Sequence, residues 1–486
     1  MEIEVIKKLV KASRKRHAEM VREATVAERY YRKKNDILQK GARAQASDGN
    51  PMRSADNRIP ANFYNILVNQ KAAYLFTDPP VFDTRNTAAN KMVRSVLGDG
   101  FAKVCKDLCI NASNCTIAWL HYWKNSDGAF RFAVISPKQI IPVWTDDLEK
   151  ELSGLLRVYD QLDEEGKKWN IYEYWDKERC STFRKESRAI MDGIKPYDLY
   201  GEAGEQPEGD PGSWQHGFGE VPFIPFPNNA EGSNDLNDVK ELIDAYDKVY
   251  SGFLNDLEDI QEVIFILAGY EGENLGEFLK KLKKYKTIKV DSDEEGKGGL
   301  STLTIDIPVE AREKMLAMTR KSIFEQGMGI DPDPQNFGNS SGVALSYLYS
   351  LLELKAGLME TEFRQGFGRL VRAICRHEGI CVADVVQTWT RTSVHNEAEL
   401  SSIAQQSTGV ISRKTILLNH PWVTDAEKEL AQIREEEQEE TEKLKQQEYN
   451  PFAQQEEKRR QTRETPPERE SGSDGRAGWI SEQEGI

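Results

Sequence analysis

The sequence predicts a predominantly helical α+β chain made of several folding units. Three observations carry this. Residues 236–260 hold a sustained heptad seam, the apolar period changes to two after Thr116, and residues 343–376 read as one uninterrupted helix. That last helix would span roughly 50 Å at about 1.5 Å per residue, more than an ordinary small domain.

The elements follow in order. Residues 1–45 read as helix, rich in both charge signs, and 43–56 as loop. NFYNILVNQKAAYLF places Phe63, Ile66, Leu67 and Tyr74 on one helical face and stops at TDPP, where proline cannot continue a helix. A further helix is expected over 87–113. TIAWLHYW, the turn NSDG and FRFAVI then read as a β-hairpin, with more strands at 154–160, 169–175 and 180–184. GEVPFIPFPNN is extended, because each proline disfavours helix at the residue before it.

The seam follows, with Leu236, Val239, Ile243, Tyr246, Tyr250, Phe253, Leu257 and Ile260 at alternating steps of three and four. The rest of that helix is acidic: Asp235, Asp238, Glu241, Asp244, Asp247, Asp256, Glu258 and Asp259 against Lys240 and Lys248. Such a face is either simply solvated or one of many copies lining an acidic surface. Residues 263–307 read as a small α/β module, and Pro308 opens a helix over 309–326. The segment GIDPDPQNFGNSSG (329–342) separates two helices with few large apolar side chains, two prolines and no Lys or Arg. Long connections inside domains tend to be functional or disordered. In the helix after it, Val343, Tyr347, Leu351, Leu354, Leu358 and Phe363 are the expected buried side, with Ser340 or Ser341 as its cap. Thr424 and Glu427 form a capping box before a charged helix, and 448–486 has a disordered composition.

Among the 486 residues, hydrophobic ones are 38% and charged ones 30%, which points to a solvated tail or to burial between subunits. The net charge of −15 disfavours tight, static nucleic-acid binding, which needs cations to displace counterions. It does not exclude a protein past which DNA slides. No apolar run approaches the roughly 20 residues of a membrane span, and the N-terminus has no secretory signal, so a soluble cytosolic chain is expected.

Motifs for chemistry are weak. Cys105, Cys109 and Cys115, and the set Cys375, His377 and Cys381, lack the paired spacing of common zinc sites and read as thiols on helices. Gly338-Asn339-Ser340-Ser341-Gly342 matches G-x-S-x-G, but no strand precedes it, so a serine hydrolase is the weaker reading. No P-loop and no H-E-x-x-H is present. No cofactor, no metal and no enzymatic activity are expected. Lys280, Lys281, Lys283, Lys284 and Lys286 form a basic run, more often a solvated helix face than a contact for nucleic acid or an acidic partner.

The order of these elements resembles the phage portal proteins of the SPP1 Gp6-like family. The likeness is carried by NRIPANFYNILVNQKAAYLFTDPP (57–80), by GEVPFIPFPNN leading into SNDLNDVKELIDAYDKVYSGFLNDLED (219–259), and by GNSSGVALSYLYSLLELKAG (338–357). It implies an elongated subunit with a wing, a helical stem, a small α/β clip and a helical crown, assembling into a ring of typically twelve copies.

By position, 1–230 resembles the wing, 231–262 and 308–328 the two stem helices, 263–307 the clip and 329–342 the tunnel loop. Residues 343–411 resemble the long helix and wing return, 412–447 the crown, and 448–486 is a tail. The resemblance implies a virion protein at the capsid vertex, present in host cytoplasm during assembly, through which double-stranded DNA is packaged and ejected. Its partners would be the large terminase, head-completion or adaptor proteins, the major capsid and scaffolding proteins, and transiently DNA, with no membrane.

Gln335, Asn336, Phe337 and Asn339 are then the expected DNA-facing loop residues. Asp244, Asp247, Asp256 and Glu258 are the expected channel lining, and Lys280, Lys281, Lys283 and Lys284 the expected docking residues of the clip. The alternative is another oligomeric head or scaffold protein with no DNA channel.

Overall fold

Two larger antiparallel sheets, two two-stranded ones and a set of long helices are described within the first 394 residues. The computed structural model describes residues 3–39, 55–199, 212–260, 264–268, 274, 277, 299–303, 308–333, 342–391, 397–418, 420, 423 and 426–448. The chain divides into two compact units, Met1–Val394 and His395–Ile486. Helix and sheet are mixed within the first unit.

Its helices are α1 (Ile3–Tyr31), α2 (Phe63–Leu75), α3 (Thr87–Leu97), α4 (Phe101–Cys115), α5 (Lys240–Ile260), α6 (Val309–Gln326) and α7 (Gly342–His377). The second unit holds α8 (Glu397–Gln406), α9 (Arg413–Leu418) and α10 (Ala426–Glu448), where Lys414 Nζ lies 3.0 Å from Glu427.

Several boundaries differ from the sequence expectation. The first helix ends at Tyr31, where Lys33 turns into the left-handed region. The helix expected over 87–113 is two helices, because Gly98 adopts φ +61° and breaks it; Asn86 caps the first of them, accepting from the amides of Ala88 and Ala89. The Thr424 capping box and the tail lie outside the described residues.

The strands are β1 (Val81–Asp83), β2 (Ile117–Lys124), β3 (Phe130–Ile135), β4 (Ile140–Trp144), β5 (Leu152–Leu162), β6 (Lys168–Trp175), β7 (Arg179–Glu186), β8 (Lys195–Pro196), β9 (Ser213–Gln215), β10 (Phe223–Pro227), β11 (Ile264–Ala268), β12 (Gly299–Leu303) and β13 (Val386–Thr388). The larger sheet runs β4-β5-β6-β7-β8, with β9 also on β7. A second runs β10-β2-β3, so the proline-rich β10 sits at an edge, where a missing N–H costs no ladder bond. β11 pairs antiparallel with β12, and β1 with β13. Of the α/β module read over 263–307, most residues, KTIKV (286–290) among them, lie outside the described residues.

The main core joins α2, α3, α4, the small sheet and α7 around Phe76, Phe226, Phe363 and Phe367. Gly366 makes this possible: a β-carbon there would lie 2.4 Å from the Phe226 ring. A second core joins α1, α2, the start of α5 and the end of α6. A third seats Ile6 of α1 on Ile141, Leu156, Tyr172 and Phe183 of the large sheet.

The buried side of α7 corrects the sequence reading. Leu352, Ala356, Met359, Phe363 and Phe367 are buried, whereas Tyr347, Leu351, Leu354 and Leu358 are exposed at 80, 39, 54 and 55%. Both stripes are apolar, and the one with small residues faces inward because Phe226 and α4 approach closely there.

His121 stacks on Phe223 with centroids 4.2 Å apart and its Nδ1 meets Pro222 O at 2.8 Å. Burial pushes it down to about 3, so it is a neutral core residue. Five of the six cysteines are buried and Cys381 is exposed. Among the described residues no group of His, Cys, Asp and Glu gathers to hold a metal ion, and no helix is long and apolar enough to cross a membrane.

Candidate functional site: the acidic helix and the root of the polar loop

The acidic helix α5 packs along α6, where Arg312 pairs with Asp256 and lies over the Phe253 ring. The heptad seam divides in two. Leu236, Val239 and Ile243 are buried against α1 and α2, while Tyr250 and Leu257 are exposed at 43 and 41%.

Asp244, Asp247, Asp256 and Glu258 of α5 are each engaged within the chain. Asp244 accepts from the Tyr30 hydroxyl and sits 2.7 Å from Lys240 Nζ. Glu258 accepts from Asn57 Nδ2 at 2.7 Å. Asp247 is a correction to the expected channel lining. It is fully buried, with Ala61 N donating to Oδ1 at 2.7 Å and Asn35 Nδ2 to Oδ2 at 2.6 Å. A carboxylate enclosed by its own chain faces no lumen. Burial pushes its carboxyl up to about 6 against those two hydrogen bonds, with Asp244 adding to the rise.

These contacts belong to one device. Residues 55–61 lie outside any helix or strand, so their amides need other acceptors. Asn57 N donates to Asn255 Oδ1 (2.6 Å), Ile59 N to Ser251 Oγ (3.0 Å) and Ala61 N to Asp247 Oδ1. Four helical residues rise about 6.0 Å and two extended residues about 6.6 Å, so one polar residue per turn meets every second amide.

The polar loop starts where α6 ends. Met328 N bonds Glu325 O at 3.2 Å and Gly329 N bonds Phe324 O at 2.9 Å, a Schellman motif with Met328 at φ 51° in the position glycine usually fills. The two flanking glycines serve closeness instead: β-carbons at Gly327 and Gly329 would lie 2.6 and 2.3 Å from Leu67. The Gln70 amide then grips Ile330 on both sides, accepting from its N at 3.0 Å and donating to its O at 2.7 Å. Arg320 forks onto Asp331, with Nη2 to Oδ1 at 2.6 Å and Nε to Oδ2 at 3.0 Å.

Beneath this root lies a buried charge cluster. Lys71 Nζ is 2.6 Å from Asp235 Oδ2 and donates to Asn228 Oδ1 at 2.9 Å. Lys355 Nζ is 3.4 Å from the same carboxylate and donates to Gly327 O at 2.9 Å. Burial alone would raise the Asp235 carboxyl, but Lys355 and Lys71 hold it well below the usual carboxylate range. Burial lowers Lys355 against the pull of Asp235.

The expected loop residues Gln335, Asn336, Phe337 and Asn339, the serines of the G-x-S-x-G match, and Lys280, Lys281, Lys283 and Lys284 lie outside the described residues. Sequence reasoning missed Gln70, Arg320, Lys355 and the polar column 247–251–255. Only the column leaves a signal, the spacing of Asp247, Ser251 and Asn255 at four residues.

The profile of a family described as "Phage portal protein, SPP1 Gp6-like" matches residues 11–443. The chain belongs to this family. A portal protein of Clostridium phage phiCD119 is 42% identical over 445 residues, 88% of this chain and 94% of that one. The portal protein of Bacillus phage SPP1 is 30% identical over 422 residues, 84% of this chain and 82% of that one. A solved chain titled "Neck of native GTA particle computed with C12 symmetry" covers 79% of this chain and 97% of its own at 10% identity and a TM-score of 0.40, too distant a likeness to carry an argument. The root of the polar loop and helices α5 and α6 of this portal protein lie inside the matched span.

Proposed function

We propose that this portal protein assembles into a ring, of about twelve copies in the family pattern, at one vertex of the phage head. The ring is the conduit for double-stranded DNA during packaging and ejection, and it docks the terminase and head-completion proteins. The role is structural rather than catalytic. The observation that carries the ring is the surface left on the paired helices α5 and α6. Tyr250, Leu257, Met315 and Met318 are exposed at 43, 41, 47 and 68%, apolar area that one subunit leaves to water and a neighbouring copy would cover.

In this reading 1–230 and 343–411 form the wing with its long helix, 231–262 and 308–328 the stem, 263–307 the clip, 329–342 the tunnel loop and 412–447 the crown. Asp256 and Glu258 remain channel-side acids, with Asp244 about 18 Å further along the same helix. They repel phosphate at short range, since charges beyond about 8–10 Å are largely screened at physiological salt. Gln335, Asn336, Phe337 and Asn339 make brief, sequence-blind contacts with passing DNA. Lys280, Lys281, Lys283 and Lys284 present cations to a docking partner. The protein acts in the virion, after assembly in the host cytoplasm.

Negative-stain microscopy of the purified chain tests the ring. Rings with an axial hole wide enough for a duplex are expected; monomers or open filaments at all concentrations would count against it. Deleting 331–338 should leave the ring and impair packaging or retention of DNA.

A further inference from the structure

We propose that Lys355 is a positioning residue for the polar loop, a strut fixing the distance between the helix that leads into the loop and the helix that leaves it. The inference deepens the loop reading above and names the residues that hold its start. Lys355 lies on α7, past the loop, and its ammonium reaches back to the carbonyl of Gly327, the last residue before the turn out of α6. That carbonyl is among those a helix end leaves unpaired, and it sits at the negative end of the helix dipole, where a cation is favoured.

The strut is braced from below. Its side chain is 10% exposed and its ammonium lies 3.4 Å from Asp235, which Lys71 and Asn228 also hold. Asp235 in turn is tied to α4 through its own amide, which donates to Ser113 O at 3.0 Å. The bracing therefore runs from α7 through Asp235 to α2 and α4, with Gly327 as the point it supports. Gln70, also on α2, grips Ile330 three residues further on, so the chain is held on both sides of Met328.

The two buried lysines divide the work. Both touch the Asp235 carboxylate, but Lys355 bonds the Gly327 carbonyl, whereas Lys71 bonds Asn228. That difference makes a local test possible. Hydrogen–deuterium exchange of the full chain is compared for the wild type, Lys355→Met and Lys71→Met. Methionine keeps most of the buried aliphatic volume in each case.

Exchange at the amides of Gly329 and Ile330 should rise roughly tenfold or more in Lys355→Met, the effect of losing one hydrogen bond from a charged donor. In Lys71→Met the rise should fall on the 228–236 stretch and leave 329–330 within about threefold of wild type. An unchanged rate at 329–330 in Lys355→Met, or an equal rise in both variants, overturns the strut. Should Lys355→Met fail to fold, wild-type exchange decides: the two amides should be as protected as those of Ala356–Met359 in α7, and exchange at the rate of a frayed terminus overturns the proposal. A DNA-packaging assay on Lys355→Met separates the two readings. Faster exchange with normal packaging supports the strut and removes the loop from contact with DNA.

Discussion

Replacing Asp247 by asparagine should change how stability depends on pH. The carboxyl is buried and lies at about 6 in the folded chain against 3.8 for a free side chain. Between those two values the folded protein keeps a proton that the unfolded chain releases. Stability from this group is therefore fully present below about pH 4 and is lost as pH rises through about 6. A rise of about two units corresponds to about 3 kcal/mol between the two protonation states.

Asparagine removes the titration and keeps an oxygen for the Ala61 amide. Its nitrogen faces Asn35 Nδ2, a pH-independent cost that displaces the whole curve without tilting it. Urea unfolding followed by tryptophan fluorescence, at intervals from about pH 4 to about pH 7.5, gives the difference between variant and wild type, in which other titrating groups cancel. That difference should move in favour of Asp247→Asn by about 3 kcal/mol across the range. Parallel curves would refute the reasoning, since they would mean that the carboxyl titrates alike in both states.

Three further outcomes are expected. Asp235→Ala leaves Lys71 and Lys355 buried without their carboxylate and should cost about 3–5 kcal/mol in denaturant unfolding. Gly366→Ala forces a methyl against the Phe226 ring and should cost about 1–3 kcal/mol, visible as a lowered melting temperature. Asn86→Ala removes the acceptor for the amides of Ala88 and Ala89 and should cost about 1 kcal/mol, with faster amide exchange confined to the start of α3.

Apolar periodicity located most helices and strands of the first unit, because each buries one face. Leu236, Val239 and Ile243 are buried as their spacing requires, and Val309–Gln326 begins after Pro308 as read. Periodicity misled on α7, where two stripes are apolar. The discriminating residues were the small ones, Ala356 and Gly366, which let a neighbour approach and carry no hydrophobic weight of their own. The break between α3 and α4 was legible in Gly98 and Gly100 but was overridden by the flanking helical pattern. The acids of α5 were read as one outward face, solvated or lining a channel, because sequence does not show which carboxylate a distant strap will cover; Asp247 is enclosed by Asn35 and Ala61, over 180 positions away. Gln70 and Lys355 left no trace for the same reason, since their partners are backbone atoms brought close only by the fold.

The strap over α5 has the geometry of two rulers with slightly unequal divisions. They agree at three marks, and Glu258, just past Asn255, meets the side chain of Asn57 rather than another amide. Lengthening 57–61 by one residue would turn every second N–H away from the column. Lengthening it by two would be absorbed only by sliding the strap one full helical turn, so evolution can adjust this contact in whole steps and in no smaller ones.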